Sequence, residues 1–360
     1  MTTMPQNFLG LPARYSDYRR AKFAVLPIPY DSTTSFQTGT REGPAAIIRA
    51  SQQVELFDEE LEGEFHKAGV STLDPLAPNM AGPKAMHDDI YAAARRIIRD
   101  GKFLLGLGGE HSVTSGLVSA VLGKHKKLSI LQIDAHLDLR DEWEGSPFSH
   151  ASVMRRCLDL GTSLVSVGIR NISLEEHRFL KSRAGSARQS EPRAEARGQS
   201  EPRAGASGPI PILQRGDKRG TESGDRASST RRPLWNPSPP RGRGQGEGGM
   251  QRSSVNVITA RQCHEDDDWV DRVLNALGQT VYVTIDIDGF DPAYAPGTGT
   301  PEPGGLDWYQ VTGLLRLVAA EKRIVAADIV EVMPIPGQAV TEFLAARLAY
   351  KILSYASHDL

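Results

Sequence analysis

The sequence predicts an α/β fold built on a central, mostly parallel sheet. Two observations carry this. Short apolar runs of strand length alternate with segments of helical periodicity between residues 21 and 332, and strands alternating with helices form parallel sheets with covered faces. A third observation places a site. Three of the runs end in ligand-capable side chains, at the carboxyl edge where open α/β sheets bind ligands.

The elements follow in order. AKFAVLPIP (21–29) is a strand; the turn-rich YDSTTSFQTGTREGP leads into a helix from about Pro44, whose missing N–H is not needed in a first turn. Residues 83–99 place Ile90, Ala93, Ala94, Ile97 and Ile98 at helical spacing, and Gly101 stops that helix. KFLLGL is the next strand, GGEH a turn, and SVTSGLVSAVLGKHKK a helix. Residues 128–133 and 164–170 are strands, as are 280–286 and 323–332, with DWYQVTGLLRLVAA a helix between the last two.

Residues 181–254 break the pattern. They are dominated by Gly, Pro, Arg and Ser, and QSEPRA at Gln189–Ala194 recurs at Gln199–Ala204. Apolar side chains there are too few to offset the entropy of ordering the chain, so a disordered, low-complexity insertion within a single domain spanning 1–360 is expected. Lys181–Arg252 holds 15 Lys and Arg against 7 Asp and Glu, a net of +8, leaving −10 on the remainder of a chain whose formal total is −2. The acidic body favours a cationic substrate or metal ions. The Arg-rich tract raises nucleic-acid binding as a rival class, but composition alone carries that reading, and no nucleic-acid partner is expected. Two isolated cysteines, Cys157 and Cys263, exclude a disulfide framework or thiolate cage. With neither a leader pattern nor an apolar run of membrane-span length, a cytoplasmic protein with no membrane partner is expected.

SILQIDAHLDLR (129–140) presents Asp134, His136 and Asp138 at alternate positions beyond a strand, and TIDIDGFDP repeats the device with Asp286 and Asp288. Alternate positions of extended chain face one side. GGEH delivers His111 to the same rim if the three strands are neighbours. Clustered carboxylates repel one another; cations remove the conflict, and oxygen with imidazole donors and no thiolate suits Mn²⁺. Four carboxylates exceed what one ion needs, so a two-metal site is expected, with the ions about 3.5–4 Å apart and a water activated between them. A lone Asp-x-Asp is ordinarily a turn or cap; three strand ends carrying complementary ligands outweigh that reading.

GGEHS, DAHLDLR and TIDIDGFDPAYAPGTGTPEPGGL resemble the three signatures of the ureohydrolases, the arginase/agmatinase family. Outside the insertion the resemblance runs nearly end to end. It implies the arginase-type three-layer α/β/α sandwich and hydrolysis of a guanidino compound to urea. DAHLDLRDEWEGSPFSHASVMRR is most similar to the agmatinases, implying agmatine as the substrate, with putrescine and urea as products in polyamine metabolism. The implied cofactor is two Mn²⁺ per subunit, one on His111, Asp134, Asp138 and Asp286, the other on His136, Asp134, Asp286 and Asp288. Asp138 is also implied to orient the attacking water, His150 to shuttle a proton, and Glu331 to pair with the guanidinium. A homo-oligomer, trimer or hexamer, is implied as well. Arginases carry an Asn where this chain has Arg140, and two Asp where it has Asn171 and Ser173, which argues against arginine. Arg140 leaves two expectations open: facing the pocket it would bind a carboxylate such as that of 4-guanidinobutyrate, and facing away it would brace Asp141, Glu142 or Glu144.

Overall fold

A computed structural model describes residues 5–188 and 254–357. Most of the expected insertion lies outside the described residues. At its start the helix Leu174–Arg188 runs on past Lys181, because Arg and Ala there are good helix formers.

Eight strands form one parallel sheet: β1 (Phe23–Ile28), β2 (Val70–Thr72), β3 (Phe103–Gly108), β4 (Ser129–Ile133), β5 (Ser163–Ile169), β6 (Val255–Thr259), β7 (Thr280–Asp286) and β8 (Arg323–Val330). Their spatial order is β2-β1-β3-β8-β7-β4-β5-β6. The pleat of β1 shows why the sheet needs two helical layers. Phe23 and Val25 join one buried cluster and Ala24, Leu26 and Ile28 the other. Helices Gly43–Ser51, Trp269–Ala276, Trp308–Glu321 and Val340–Ala356 cover the first face, and Pro83–Arg99, Thr114–Lys124 and Val153–Asp159 the second. This is the three-layer α/β/α sandwich.

The predicted helix at 83–99 is found at Pro83–Arg99, and Gly101 ends it with φ +75°. Three-residue β2 and the long C-terminal helix Val340–Ala356 add to the predicted elements. One topological expectation needs correction. The strands carrying the three signatures are not all neighbours: β4 pairs β7, but β8 lies between β3 and β7. The rim is therefore made by four strand ends, and the fourth carries Glu331. Among the described residues no helix is long and apolar enough to cross a membrane.

Candidate metal centre

Beyond β4 the chain stays extended and alternates. Ala135, Leu137 and Leu139 are fully buried, which turns Asp134, His136 and Asp138 to the opposite side, toward the cleft. The alternation ends at Asp138, whose φ of +53° is rare for a residue with a side chain. The turn lets the Asp138 carbonyl accept the N–H groups of Met154 and Arg155 at the start of the helix Val153–Asp159. Glu331, beyond β8, has φ +62°. Both left-handed residues lie at the rim, where the chain must turn away while a side chain stays aimed inward.

His111 follows the Gly108-Gly109-Glu110 turn after β3. Gly109 is required there, since a Cβ would lie 2.1 Å from the Tyr30 carbonyl oxygen. The buried His111 directs Nδ1 at three carboxylates, 3.0 Å from Asp138, 3.2 Å from Asp134 and 3.4 Å from Asp286. Its backbone N–H donates to Glu331 Oε1 at 2.7 Å. His136 Nδ1 lies 3.1 Å from Asp288 Oδ2 and 3.7 Å from Asp134 Oδ1. Hydrogen bonds from the chain also orient three of these carboxylates. Gln132 donates to Asp134 at 2.8 Å, Ala135 N–H to Asp288 at 3.1 Å, and Asp288 N–H to Asp286 at 3.0 Å. Arg170 pins the loop after β7 by donating to the carbonyls of Asp288 and Glu302, both at 2.6 Å.

Two groups of ligand atoms close enough to share a cation result: His111, Asp134 and Asp286, and Asp134, His136 and Asp288. Asp134 belongs to both. Asp286 belongs to the first alone, which differs from its implied bridging place. Asp138, implied as a ligand of the first ion, is in neither group, although its Oδ2 lies 3.0 Å from His111 Nδ1.

The centre fits divalent cations on two grounds. His111 Nδ1 is buried without a hydrogen-bond partner, a cost that ligation removes. The electrostatics agree. Burial, then the charges of Asp288 and Asp134, holds the Asp286 carboxyl well above its ordinary range. Burial, then Asp134, pushes Asp138 up to about 7. Against burial, the neighbouring carboxylates of Asp134 and Asp288 hold His136 at about 12, and those of Asp134, Asp138 and Asp286 raise His111. Without cations the centre therefore holds protons at neutral pH, and a cation must displace them. Because these pKa values are raised, affinity for a divalent cation, tested with Mn²⁺, is expected to rise with pH. Calorimetry from about pH 6 to about pH 8 in buffers of different ionisation enthalpy should show tighter binding at high pH and net proton release. A flat affinity would contradict this.

His150 opens a short 3-10 turn (His150–Ser152) on the same cleft. Burial, then the cationic His111 and His136, depresses its imidazole to about 4, so it is neutral. Thr33 sets its tautomer. The Thr33 hydroxyl donates to buried Glu110 at 2.9 Å, so it accepts from His150 Nδ1 at 3.2 Å and from the His150 backbone N–H at 3.0 Å. Nε2 is then unprotonated, 3.5 Å from Ser35 Oγ.

The cleft, about 170 Å³, takes in all of the expected site residues except Asp134, which lies beneath it, fully buried. Arg140 lines it, with its guanidinium stacked on Trp143 at 4.5 Å and 3.6 Å from Glu175. Its partner is thus Glu175 rather than Asp141, Glu142 or Glu144, and Arg155 and Arg156 brace Asp141 instead. Asn171 and Ser173 also face the cleft, donating to Glu302 at 2.6 Å and Glu176 at 2.7 Å. Sequence reasoning missed Glu110, Thr33, Thr284 and Asp328. Asp328 alone had a legible signal, as a carboxylate inside the apolar run RIVAADIVEV.

The chain is similar to known proteins over most of its length. The arginase family model matches residues 21–202 and 241–354, leaving out part of the insertion. An N(1)-aminopropylagmatine ureohydrolase of Synechocystis is 32% identical, covering 98% of this chain and 95% of that protein. One of the same name from Thermus thermophilus is 34% identical, covering 92% and 89%. The solved agmatine ureohydrolase of Thermoplasma volcanium superposes with a TM-score of 0.71 at 25% identity, covering 98% of this chain and 94% of that one. The chain belongs to the arginase family, and it is a ureohydrolase, a hydrolase acting on guanidino compounds.

Proposed function

We propose that the chain hydrolyses the guanidinium group of a polyamine-type guanidine, one without a carboxylate, to urea and the free amine. The observation that carries this reading is the convergence of His111, Asp134, His136, Asp138, Asp286 and Asp288 beside Glu331. In this reading His111, Asp134, Asp138 and Asp286 hold one cation and His136, Asp134, Asp286 and Asp288 the other. Manganese suits that donor set, and the bound pair supplies a water activated near neutral pH.

The chain's own residues do the rest. Glu331 receives the planar, forked donors of the guanidinium, for which a carboxylate is the matching partner. Asp138 orients the attacking water by a hydrogen bond. Water adds to the guanidinium carbon, the bond to the substrate's amine nitrogen breaks, and His150 carries the proton that nitrogen needs on leaving. Urea and an amine remain.

Two features support a substrate without a carboxylate. Arg140 is already engaged by Trp143 and Glu175, so a guanidino acid meets no uncommitted cation there. The two bacterial relatives carry the name of N(1)-aminopropylagmatine, which we place first; agmatine is the second reading, favoured by the Thermoplasma neighbour. The test is urea release by the Mn²⁺-loaded protein from N(1)-aminopropylagmatine, agmatine, 4-guanidinobutyrate and arginine in parallel. The two polyamine-type guanidines should be turned over and the two acids spared. Arg140→Ala should leave that turnover within about threefold; turnover of 4-guanidinobutyrate that collapses in the variant would make Arg140 a substrate clamp.

A further inference from the structure

Behind His111, on the side away from the carboxylates, stands a chain of groups that the proposed reaction does not use. Asp328 lies in the middle of β8 and is fully buried. In the sheet it sits beside Thr284 of β7 on one side and Gly106 of β3 on the other. A Cβ at Gly106 would be 3.0 Å from that of Asp328 and 2.7 Å from Leu117, so the glycine makes room for a carboxylate in an apolar layer. Three hydroxyls converge on it. Thr284 donates to Oδ1 at 2.6 Å, and Tyr282 and Thr114 donate to Oδ2 at 2.6 and 2.8 Å. Burial, then the charge of Asp328, holds the Tyr282 phenol well above its ordinary range, so it remains a donor.

Thr284 is the link to the centre. Its Oγ1 lies 2.9 Å from His111 Nε2. A hydroxyl has one proton, and that of Thr284 goes to Asp328. Toward His111 the oxygen can only accept, so the imidazole must carry its proton on Nε2. In the neutral ring that ligates a cation the lone pair is then on Nδ1, the buried atom aimed at Asp134, Asp138 and Asp286.

We propose that Asp328 and Thr284 are positioning residues that lock the Nε2 proton of His111 in place, so that the proton a cation displaces is the one on Nδ1, which then becomes the ligand atom. The inference rests on the reading of this site as a metal centre. It makes a specific claim about Asp328→Asn. Two donors hold the Oδ2 position, so the amide oxygen belongs there and the amide N–H₂ faces Thr284. The amide then donates to Thr284, whose freed proton turns to His111 Nε2. The lock is inverted, and the proton moves to Nδ1, where it blocks ligation.

The test is stepwise calorimetric titration of the metal-free, full-length chain with Mn²⁺, comparing wild type with Thr284→Val, Thr284→Ser and Asp328→Asn. Circular dichroism serves as the folding check. Thr284→Val keeps the shape and removes the hydroxyl; it should weaken the cation site containing His111 by about 10–100-fold and leave the His136 site within about threefold. Asp328→Asn should do the same, and it carries the test alone if Thr284→Val does not fold. Thr284→Ser restores the hydroxyl and should stay within about threefold of wild type. Wild-type affinity in Thr284→Val, or a Thr284→Ser loss as large as that of Thr284→Val, overturns the lock. A wild-type chain that takes up no cation overturns the metal reading, and the lock with it.

Discussion

Asp134→Asn is expected to lower urea release by about 10³-fold or more and to reduce bound Mn²⁺ at both positions. Asp134 is fully buried and is the one carboxylate shared by both groups of ligand atoms. Its oxygens also hold the neighbourhood in shape, since Oδ1 accepts the His136 N–H at 2.5 Å and Oδ2 the Gln132 side chain at 2.8 Å. Against burial, the neighbouring His111 and His136 hold its carboxyl well below the usual range. Asparagine matches the size but removes the charge and turns one oxygen into a donor. Metal content by mass spectrometry, read beside the rate, separates this account from a rival in which Asp134 only braces the loop. That rival predicts two ions still bound.

His150→Ala is expected to lower kcat by about 10²–10⁴-fold, the range for removing a positioned acid–base group, with metal content unchanged. The neutral imidazole, its Nδ1 proton directed at Thr33, keeps Nε2 available on the cleft side. Bound metal should not change, because His150 is in neither group of ligand atoms. Loss of metal together with rate would make His150 part of the cation site; a rate within tenfold of wild type would remove it from the proton path.

Much of this was legible in the sequence because the signals are local. Pro83–Arg99 reads as a helix from its own spacing, and SILQIDAHLDLR shows its ligands at alternate positions of one extended segment. Pairings between distant segments were not legible. Nothing in the sequence says that β8 inserts between β3 and β7, so nothing says that Glu331 meets the His111 backbone across 220 positions or that Thr114 meets Asp328 across 214. Arg140 illustrates the same limit. Its side chain crosses to Glu175 on a later helix, whereas sequence proximity pointed to Asp141, Glu142 and Glu144. The tautomers of His111 and His150 lie further still from any sequence signal, since each follows from a threonine hydroxyl whose proton is committed to a buried carboxylate.

The central claim is that this chain hydrolyses a guanidinium at a centre needing two divalent cations. Its most direct test adds Mn²⁺ stepwise to the metal-free protein and follows bound ions and urea released from N(1)-aminopropylagmatine and agmatine in the same samples. Urea release that is negligible without metal and rises to its plateau as the second ion binds is the result expected. Full activity in the metal-free chain, or no urea from either guanidine with both ions bound, would contradict it.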